Sequence, residues 1–319
     1  MFKKILLILL FFPVLASAWE PTKPITVVIG FAPGSGNEIA FRQASSIVQK
    51  NNPKVAFVIE NKPGADSVIS QNHMMTVPAD GYTISVPSHM SLFVTNDIWQ
   101  RDIKKFEYNS FINVVTLGKS PLALVAGSKS TINTPQQFVD LIQNPSRPVN
   151  VAIGGGAHQM AYEYILWRTG ADNKQIQMIR YPGPLQAVTA VAGEQTEFGI
   201  MPIAVARPLV EAGKVKLIGL TGDHNIVALR GVPMINRVVP GLRVYAGWVV
   251  SLPPNTPDNV VAWYQREFSL AITSKEYRAW AEQNFILVAE SELNPLGVST
   301  YSEDLHKAFA PIIKQIKIE

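Results

Sequence analysis

Residues 25–50 constrain the fold more than any other part of the chain, because an apolar strand pattern passes through a glycine-rich loop into a helical pattern. The strand pattern covers Ile25 to Phe31, and the loop consists of Pro33, Gly34, Ser35, Gly36 and Asn37. The first N–H groups of a helix lack partners within the helix, and the helix dipole adds positive charge there. The segment therefore predicts a site for a carboxylate or phosphate, with a turn that only packs as the competing interpretation.

The loop differs from the nucleotide-binding loops that it superficially resembles. No Gly-Lys-Ser/Thr triplet closes it, as a Walker A loop requires, and it lacks the full G-x-G-x-x-G spacing of a dinucleotide fingerprint. The residues alone therefore predict an anion site but no nucleotide cofactor.

The first eighteen residues have the pattern of a secretory leader. Lys3 and Lys4 precede an apolar run from Ile5 to Val14 that is too short to span a membrane, and Ala16-Ser17-Ala18 is an A-x-A cleavage site. We expect cleavage after Ala18 and a periplasmic protein that begins at Trp19, with an uncleaved anchor as the alternative.

The amino-acid composition excludes several kinds of site and partner. The chain has no cysteine, which excludes disulfides, a lipid-modified cysteine and thiolate zinc sites. Without Lys3 and Lys4 the formal charge of +4 becomes +2, and the remaining basic residues are scattered, so nucleic-acid binding has little support. We expect no metal and no cofactor.

Strand and helix patterns alternate along the rest of the chain, which is typical of a parallel sheet covered by helices. A second strand, glycine run and helix follow one another at Val149–Ile153, Gly154-Gly155-Gly156 and the segment after Ala157 and His158. Two strands, Phe111–Leu117 and Leu122–Ala126, are predicted with a break between them.

This segmentation predicts two α/β domains, the second inserted into the first. The first comprises residues 19–120 and 245–319, the second residues 121–244, and extended crossings near 118–124 and 243–250 join them. A cleft between two such domains is a common place for a small ligand. If both glycine loops face this cleft, they would hold an anion between them. The alternative for the second loop is a flexible turn.

Several motifs, in order and at family-like spacing over the whole mature chain, resemble substrate-binding proteins of tripartite tricarboxylate transporters, the TctC or Bug type. Residues 31–38 (FAPGSGNE) are similar to that family's F-P-P-G-G-G-T-D, and residues 60–65 (ENKPGA) to E-N-R-P-G-A. Residues 78–84 (PADGYTI) resemble P-P-D-G-Y-T-L, and residues 252–257 (LPPNTP) resemble A-P-A-G-T-P.

The resemblance implies a two-lobed periplasmic-binding-protein-like fold of type II and no enzymatic activity. It implies a monomeric extracytoplasmic receptor that closes by hinge bending over an organic carboxylate and presents it to a membrane permease. A ligand-sensing subunit for a membrane kinase is the alternative within the same fold. An exported hydrolase has little support, because Pro33 disrupts a G-x-S-x-G elbow around Ser35 and no histidines have H-E-x-x-H spacing.

Residue by residue, the resemblance and the loop patterns together predict a ligand site formed by both lobes. Its members are Pro33, Gly34, Ser35, Gly36, Asn37, Ser88, His89, Gly154, Gly155, Gly156, Ala157, His158, Tyr181, Gly183, Met201 and Pro202. For His89 the alternative is a place at the rim, and for Arg180 a cleft-facing fork competes with a surface position.

Departures from the family pattern indicate a less polar pocket. Met201-Pro202 stands where the family commonly has an aspartate, and Gly247-Trp248 replaces Trp-Tyr. We therefore expect a carboxylate with an apolar or aromatic body, and the loss of the aspartate argues against an amine-bearing ligand.

Overall fold

The computed structural model describes residues 19–172, 174–222 and 229–315. The predicted leader lies outside these ranges, so its cleavage stays a prediction. Among the described residues, no helix combines the length and apolar composition needed to cross a membrane.

Strands and helices alternate as predicted. The strands are β1 (Ile25–Ile29), β2 (Phe57–Asn61), β3 (Thr83–Ser85), β4 (Ile112–Gly127), β5 (Val149–Ile153), β6 (Ile176–Arg180), β7 (Phe198–Pro202), β8 (Val215–Leu220) and β9 (Tyr245–Leu252). The helices are α1 (Gly36–Asn51), α2 (Val68–Met74), α3 (Asn96–Trp99), α4 (Pro135–Gln143), α5 (Gly156–Thr169), α6 (Pro184–Ala192), α7 (Ile203–Glu211), α8 (Asp258–Thr273), α9 (Lys275–Gln283) and α10 (Pro295–Gln315).

The strands form one curled sheet in the order β2-β1-β3-β9-β4-β7-β5-β6, with β8 also paired to β4. In one half of the sheet, β1 pairs in parallel with β2 and β3. In the other half, β5 pairs in parallel with β6 and β7. In parallel pairs the carboxyl ends of the strands lie at the same edge, so the loops after β1 and β2 cluster, as do those after β5 and β6.

Strand β4 joins the two halves. Residues 112–121 pair with β9, and residues 122–127 pair with β7 and β8. The prediction of two separate strands here was wrong: Gly118 and Pro121, which commonly end strands, lie inside one 16-residue strand. The pairing with β9 shows the physical reason. Register shifts beside Val115 and Gly118 absorb the irregularity around Gly118, and Pro121 stays paired with Tyr245.

The segment after β3 forms a π-helical turn, Ser91–Thr95, that runs directly into α3. The sequence pattern predicts no element at this place. All five residues of the turn are buried, and π turns often occur at functional sites. Thr95, the last residue of this turn, lines a cavity between the two halves of the sheet.

Local signals in the sequence account for the start of α4 and for most of the buried face of α1. The side chain of Thr134 accepts a hydrogen bond from the Gln137 N–H at 3.2 Å, so Thr134 is the N-cap of α4 and Pro135 occupies its first turn. The helical pattern after the first glycine loop places Ile39, Ala40, Ala44, Ile47 and Val48 on one face. In α1, four of these residues are buried and pack near α8, whereas Ile39 is exposed.

Candidate ligand-binding site

A cavity of about 340 Å³ lies where the loops that follow β1 and β2 meet those that follow β5 and β6. It is lined by Gly30, Phe31, Ala32, Pro63, Gly64, Asp66, Thr95, Trp99, Gln100, Ile153, Gly154, Gly155, Gly156, Gln159, Arg180, Tyr181 and Pro182. Three other cavities are larger, about 580, 560 and 400 Å³, but none of them is lined by a glycine run between a strand end and a helix start. We therefore take the first cavity as the candidate site.

The glycine run after β5 is shaped by close backbone contacts. A Cβ on Gly154 would overlap the backbone of Gly183, so only glycine fits where the loops after β5 and β6 touch. At Gly155, a Cβ would make ordinary contact with the His158 ring at 3.4 Å. Gly156 is the first residue of α5, and the N-terminus of this helix therefore faces the cavity.

Asp66 brings a carboxylate from the loop after β2 to this helix start. A Cβ on Gly156 would overlap Oδ2 of Asp66, and the Gly156 N–H serves as a backbone hydrogen-bond donor to the carboxylate. From the other side, the Thr95 hydroxyl donates to Oδ2 at 2.6 Å, and the Ser91 hydroxyl also donates to the carboxylate. Asp66 is thus held between the π-helical turn and α5.

The electrostatic environment of Asp66 is mixed. The pKa of Asp66 is raised above its ordinary value, because burial outweighs the hydrogen bonds from Thr95, Ser91 and Gly156 and the charge of Arg180, which all lower it. The loop that carries it has an unusual backbone: Ala65, Asp66 and Ser67 have φ values of 46°, 48° and 72°. Consecutive non-glycine residues in the left-handed region are strained, which often marks a functional position.

Arg180 is the positively charged side chain of the cavity lining. It is exposed at the end of β6, and its charge acts on both Asp66 and Glu163. Among the described residues it has no salt-bridge partner, so its guanidinium is available to a ligand carboxylate. Burial raises the pKa of Glu163, against which a hydrogen bond from Gln159 and the charge of Arg180 act.

The remaining lining residues provide apolar walls and neutral polar groups. Phe31 and Trp99 come from the half around β1, and Tyr181 comes from the half around β5. Gln100 and Gln159 add amide groups. This mixture fits a small solute with an apolar body and few charges.

Among the predicted site residues, the structure brings four together in the cavity lining, namely Gly154, Gly155, Gly156 and Tyr181. Twelve lie outside the lining: Pro33, Gly34, Ser35, Gly36, Asn37, Ser88, His89, Ala157, His158, Gly183, Met201 and Pro202. Their contribution to ligand binding stays a prediction.

The first glycine loop uses its polar groups within the protein. The Gly34 N–H donates to Oε2 of Glu38 at 3.2 Å, and the Asn37 amide donates to the Val86 carbonyl at 2.8 Å. Glu38 also accepts hydrogen bonds from Arg42 and Asn61. The three residues before this loop line the cavity instead, namely Gly30, Phe31 and Ala32.

The two histidines of the predicted site are buried and are not part of the cavity lining. His89 is 1% exposed, its Nε2 lies 3.1 Å from the Thr116 hydroxyl, and its ring stacks on Phe93. Burial lowers the pKa of His158 to about 4, and burial and the charge of Lys119 hold the pKa of His89 well below its usual range. Both rings are therefore neutral near pH 7.

Asp66 and Thr95 were missed by sequence reasoning, and Arg180 was considered with a surface position as its alternative. A signal for Asp66 did exist: it directly follows the Pro63-Gly64-Ala65 turn at the carboxyl end of a predicted strand. Thr95 has no comparable signal, because its position depends on the π-helical turn. Among the described residues, no group of three His, Asp or Glu could hold a metal ion.

Comparison with known proteins is consistent with this geometry. The family model described as "Tripartite tricarboxylate transporter family receptor" matches residues 40–317. The protein BugT of Bordetella pertussis is 24% identical over 269 residues, which cover 82% of this chain and 80% of BugT.

Solved structures show the same fold. MatC from Rhodopseudomonas palustris with bound malate is 20% identical, with a TM-score of 0.81 over 92% of this chain and 100% of MatC. An R. palustris protein with adipate is 19% identical, with a TM-score of 0.82 over 92% of this chain and 97% of that one. Both the family and the fold are those predicted from the motifs, and the receptor interpretation is favoured over an enzyme. The chain belongs to the tripartite tricarboxylate transporter receptor family, whose members are periplasmic solute-binding proteins.

Proposed function

We propose that the protein traps a small organic carboxylate in the cavity at the α5 N-terminus and delivers it to a tripartite tricarboxylate-type membrane permease. One observation carries this proposal: a single cavity joins Arg180 and the glycine loop of one half of the sheet to Phe31 and Trp99 of the other. The adipate and malate in the solved relatives are carboxylates, which supports the same ligand class here.

Trapping requires that two lobes close on the ligand. We propose that residues 19–120 with 245–319 form one lobe and residues 121–244 the other, and that β4 and β9 act as the hinge. A ligand that touches loops of both lobes favours the closed form over the open one. The phenyl and indole rings of Phe31 and Trp99 favour an apolar or aromatic ligand body. We expect a monomer.

The test is a thermal-shift screen of the chain from Trp19 onward against aliphatic, aromatic and hydroxy acids, amino acids and phosphate esters. A ligand that binds only the folded state stabilises it by about 2.7 kcal/mol at one hundred times its Kd, so the melting temperature rises with dose. Gly155→Leu adds a bulky side chain at a residue that lines the cavity, and we expect it to remove the shift. A dose-dependent shift that survives Gly155→Leu places the ligand elsewhere.

Delivery to a permease is tested separately, in cells. Uptake of the radiolabelled ligand is compared between cells with and without the gene. Loss of uptake supports transport, whereas undiminished uptake by cells that lack a binding-competent receptor favours the sensing role.

A further inference from the structure

Asp66 places a carboxylate of the protein at the helix start where a ligand carboxylate would otherwise bind. Gly156 begins α5, and a Cβ on Gly156 would overlap the Asp66 carboxylate. Helix N-termini attract anions through their free N–H groups and dipole. One of the two positive features of the cavity is therefore already occupied by the chain itself.

The position of Asp66 is firmly defined by its neighbours. Thr95, which is fully buried, donates to Oδ2 at 2.6 Å, and the Ser91 hydroxyl and the Gly156 N–H complete the set of donors. The carboxylate cannot move out of the helix start without losing these hydrogen bonds. The left-handed backbone at residues 65–67 persists only because surrounding structure holds it.

Arg180 is the second positive feature and the one that remains for a ligand. Its guanidinium has no salt-bridge partner in the part of the chain that the structure describes, although Asp66 and Glu163 lie within electrostatic range. A ligand with one carboxylate satisfies Arg180. A second ligand carboxylate would find no free cation and would lie in a small cavity beside the negative charges of the protein.

We propose that Asp66 is a specificity-determining residue, which restricts the cavity to monocarboxylates and rejects dicarboxylates of the same length. This inference rests on the proposed function. Like charges placed together in a confined site disfavour the wrong partner, which is a common way to obtain specificity.

The test is calorimetric titration at about pH 7.5 with pairs of acids that differ by one carboxylate: butyrate and succinate, hexanoate and adipate, benzoate and terephthalate. The proteins are the wild type, Asp66→Asn and Asp66→Gly. Asp66→Asn removes the charge and keeps the shape, and Asp66→Gly also opens the subsite and suits the backbone φ of 48°. Glu194→Gly is the matched control, because Glu194 is an exposed acidic residue with φ 58° that pairs with Lys129 far from the cavity.

We expect the wild type to bind the monocarboxylate of a pair at least about tenfold more tightly than the dicarboxylate, as the like-charge penalty implies. Asp66→Gly removes this preference, Asp66→Asn reduces it, and Glu194→Gly leaves it unchanged. Equal wild-type affinities within each pair that binds, or a preference that Asp66→Gly does not alter, would overturn the role of Asp66 and leave the receptor function standing. If no acid of the panel binds to any of the folded proteins, the proposed function fails, and this inference fails with it.

Discussion

The indole ring of Trp248 lies directly against Gly36, the first residue of α1. A Cβ on residue 36 would lie 2.5 Å from Cζ2 of Trp248, closer than real Cβ contacts allow. Trp248 is 6% exposed on β9, so its ring has little freedom to move aside. The glycine at this position is therefore required by the packing of β9 against the start of α1, independently of any ligand.

We expect Gly36→Ala to lower the free energy of unfolding by about 1–3 kcal/mol, since overpacking of a filled site costs that much. Urea unfolding measures the loss. The double variant Gly36→Ala/Trp248→Phe should recover part of it, because the smaller ring leaves room for the methyl group. Strictly additive losses in the double variant would show that the two residues do not interact.

Glu38 should make the free energy of unfolding depend on pH. Burial alone would raise the pKa of Glu38, but hydrogen bonds from Arg42, Asn61 and Gly34 outweigh it and hold the pKa below its ordinary value of 4.5. A carboxyl group with a lowered folded-state pKa stabilises the fold above the unfolded pKa, and this stabilisation is lost as the pH falls through the folded pKa.

Glu38→Gln should therefore cost about 1.5–3 kcal/mol at neutral pH, the range for a hydrogen bond to a charged group. The difference from the wild type should shrink as the pH falls below about 4.5, and urea unfolding across that range measures it. Glu60→Gln is the control, because Glu60 pairs with Lys62 at the surface, and such a pair contributes little to the free energy of unfolding. A difference that is the same at neutral and acid pH would refute the assignment.

His158 should also make the stability depend on pH, in a window above the one in which Glu38 acts. Its folded-state pKa of about 4 lies below the ordinary 6.5, so the folded chain binds fewer protons than the unfolded chain between these values. Stability then falls with decreasing pH in this window, by up to about 1.4 kcal/mol per pH unit.

We expect His158→Met to flatten this fall. At about pH 8 the variant should differ from the wild type by less than about 1.5 kcal/mol, because the exchange roughly conserves volume and Nδ1 has no hydrogen-bond partner among the described residues. Thermal unfolding between about pH 8 and pH 4.5 tests this. Parallel pH profiles for the two proteins would exclude His158 as the titrating group.

Trp19, the predicted first residue of the mature chain, belongs to an aromatic cluster. Its ring centroid lies 5.4 Å from that of Trp263, 5.6 Å from Tyr82 and 5.8 Å from Tyr264. We expect Trp19→Ala to destabilise the protein by about 2 kcal/mol or more, as loss of a packed indole does. Trp167→Ala, at a tryptophan that is 36% exposed, is the control and should cost less. Equal losses would show that the cluster does not anchor the N-terminus.

How far the fold follows from the sequence depends on how local the signal is. The bounds of β5 match the apolar pattern that predicts it, because that signal lies within the segment itself. The continuous β4 does not follow from local signals. Gly118 and Pro121 are residue types that commonly end a strand. Here the pairing with β9 continues across both of them.

The same distinction applies to the candidate site. Gly154 to Gly156 were predicted because a strand, glycine run and helix start are adjacent in sequence. Asp66, Thr95 and Gly156 come from three distant segments and meet only in the folded chain. Their convergence depends on a left-handed loop and a π-helical turn, neither of which has a reliable sequence pattern.

The central claim is that a carboxylate binds to Arg180 in the cavity at the α5 start. Its most direct test is calorimetric titration of the wild type, Arg180→Gln and Arg168→Gln with the carboxylate that gives the largest thermal shift. Arg168 is the matched control, an exposed arginine at the far end of α5 that lies over the Trp167 ring. We predict that Arg180→Gln weakens binding at least about tenfold, since a charge-assisted bidentate pair is lost, and that Arg168→Gln leaves the affinity unchanged. Unaltered affinity in Arg180→Gln would contradict the claim.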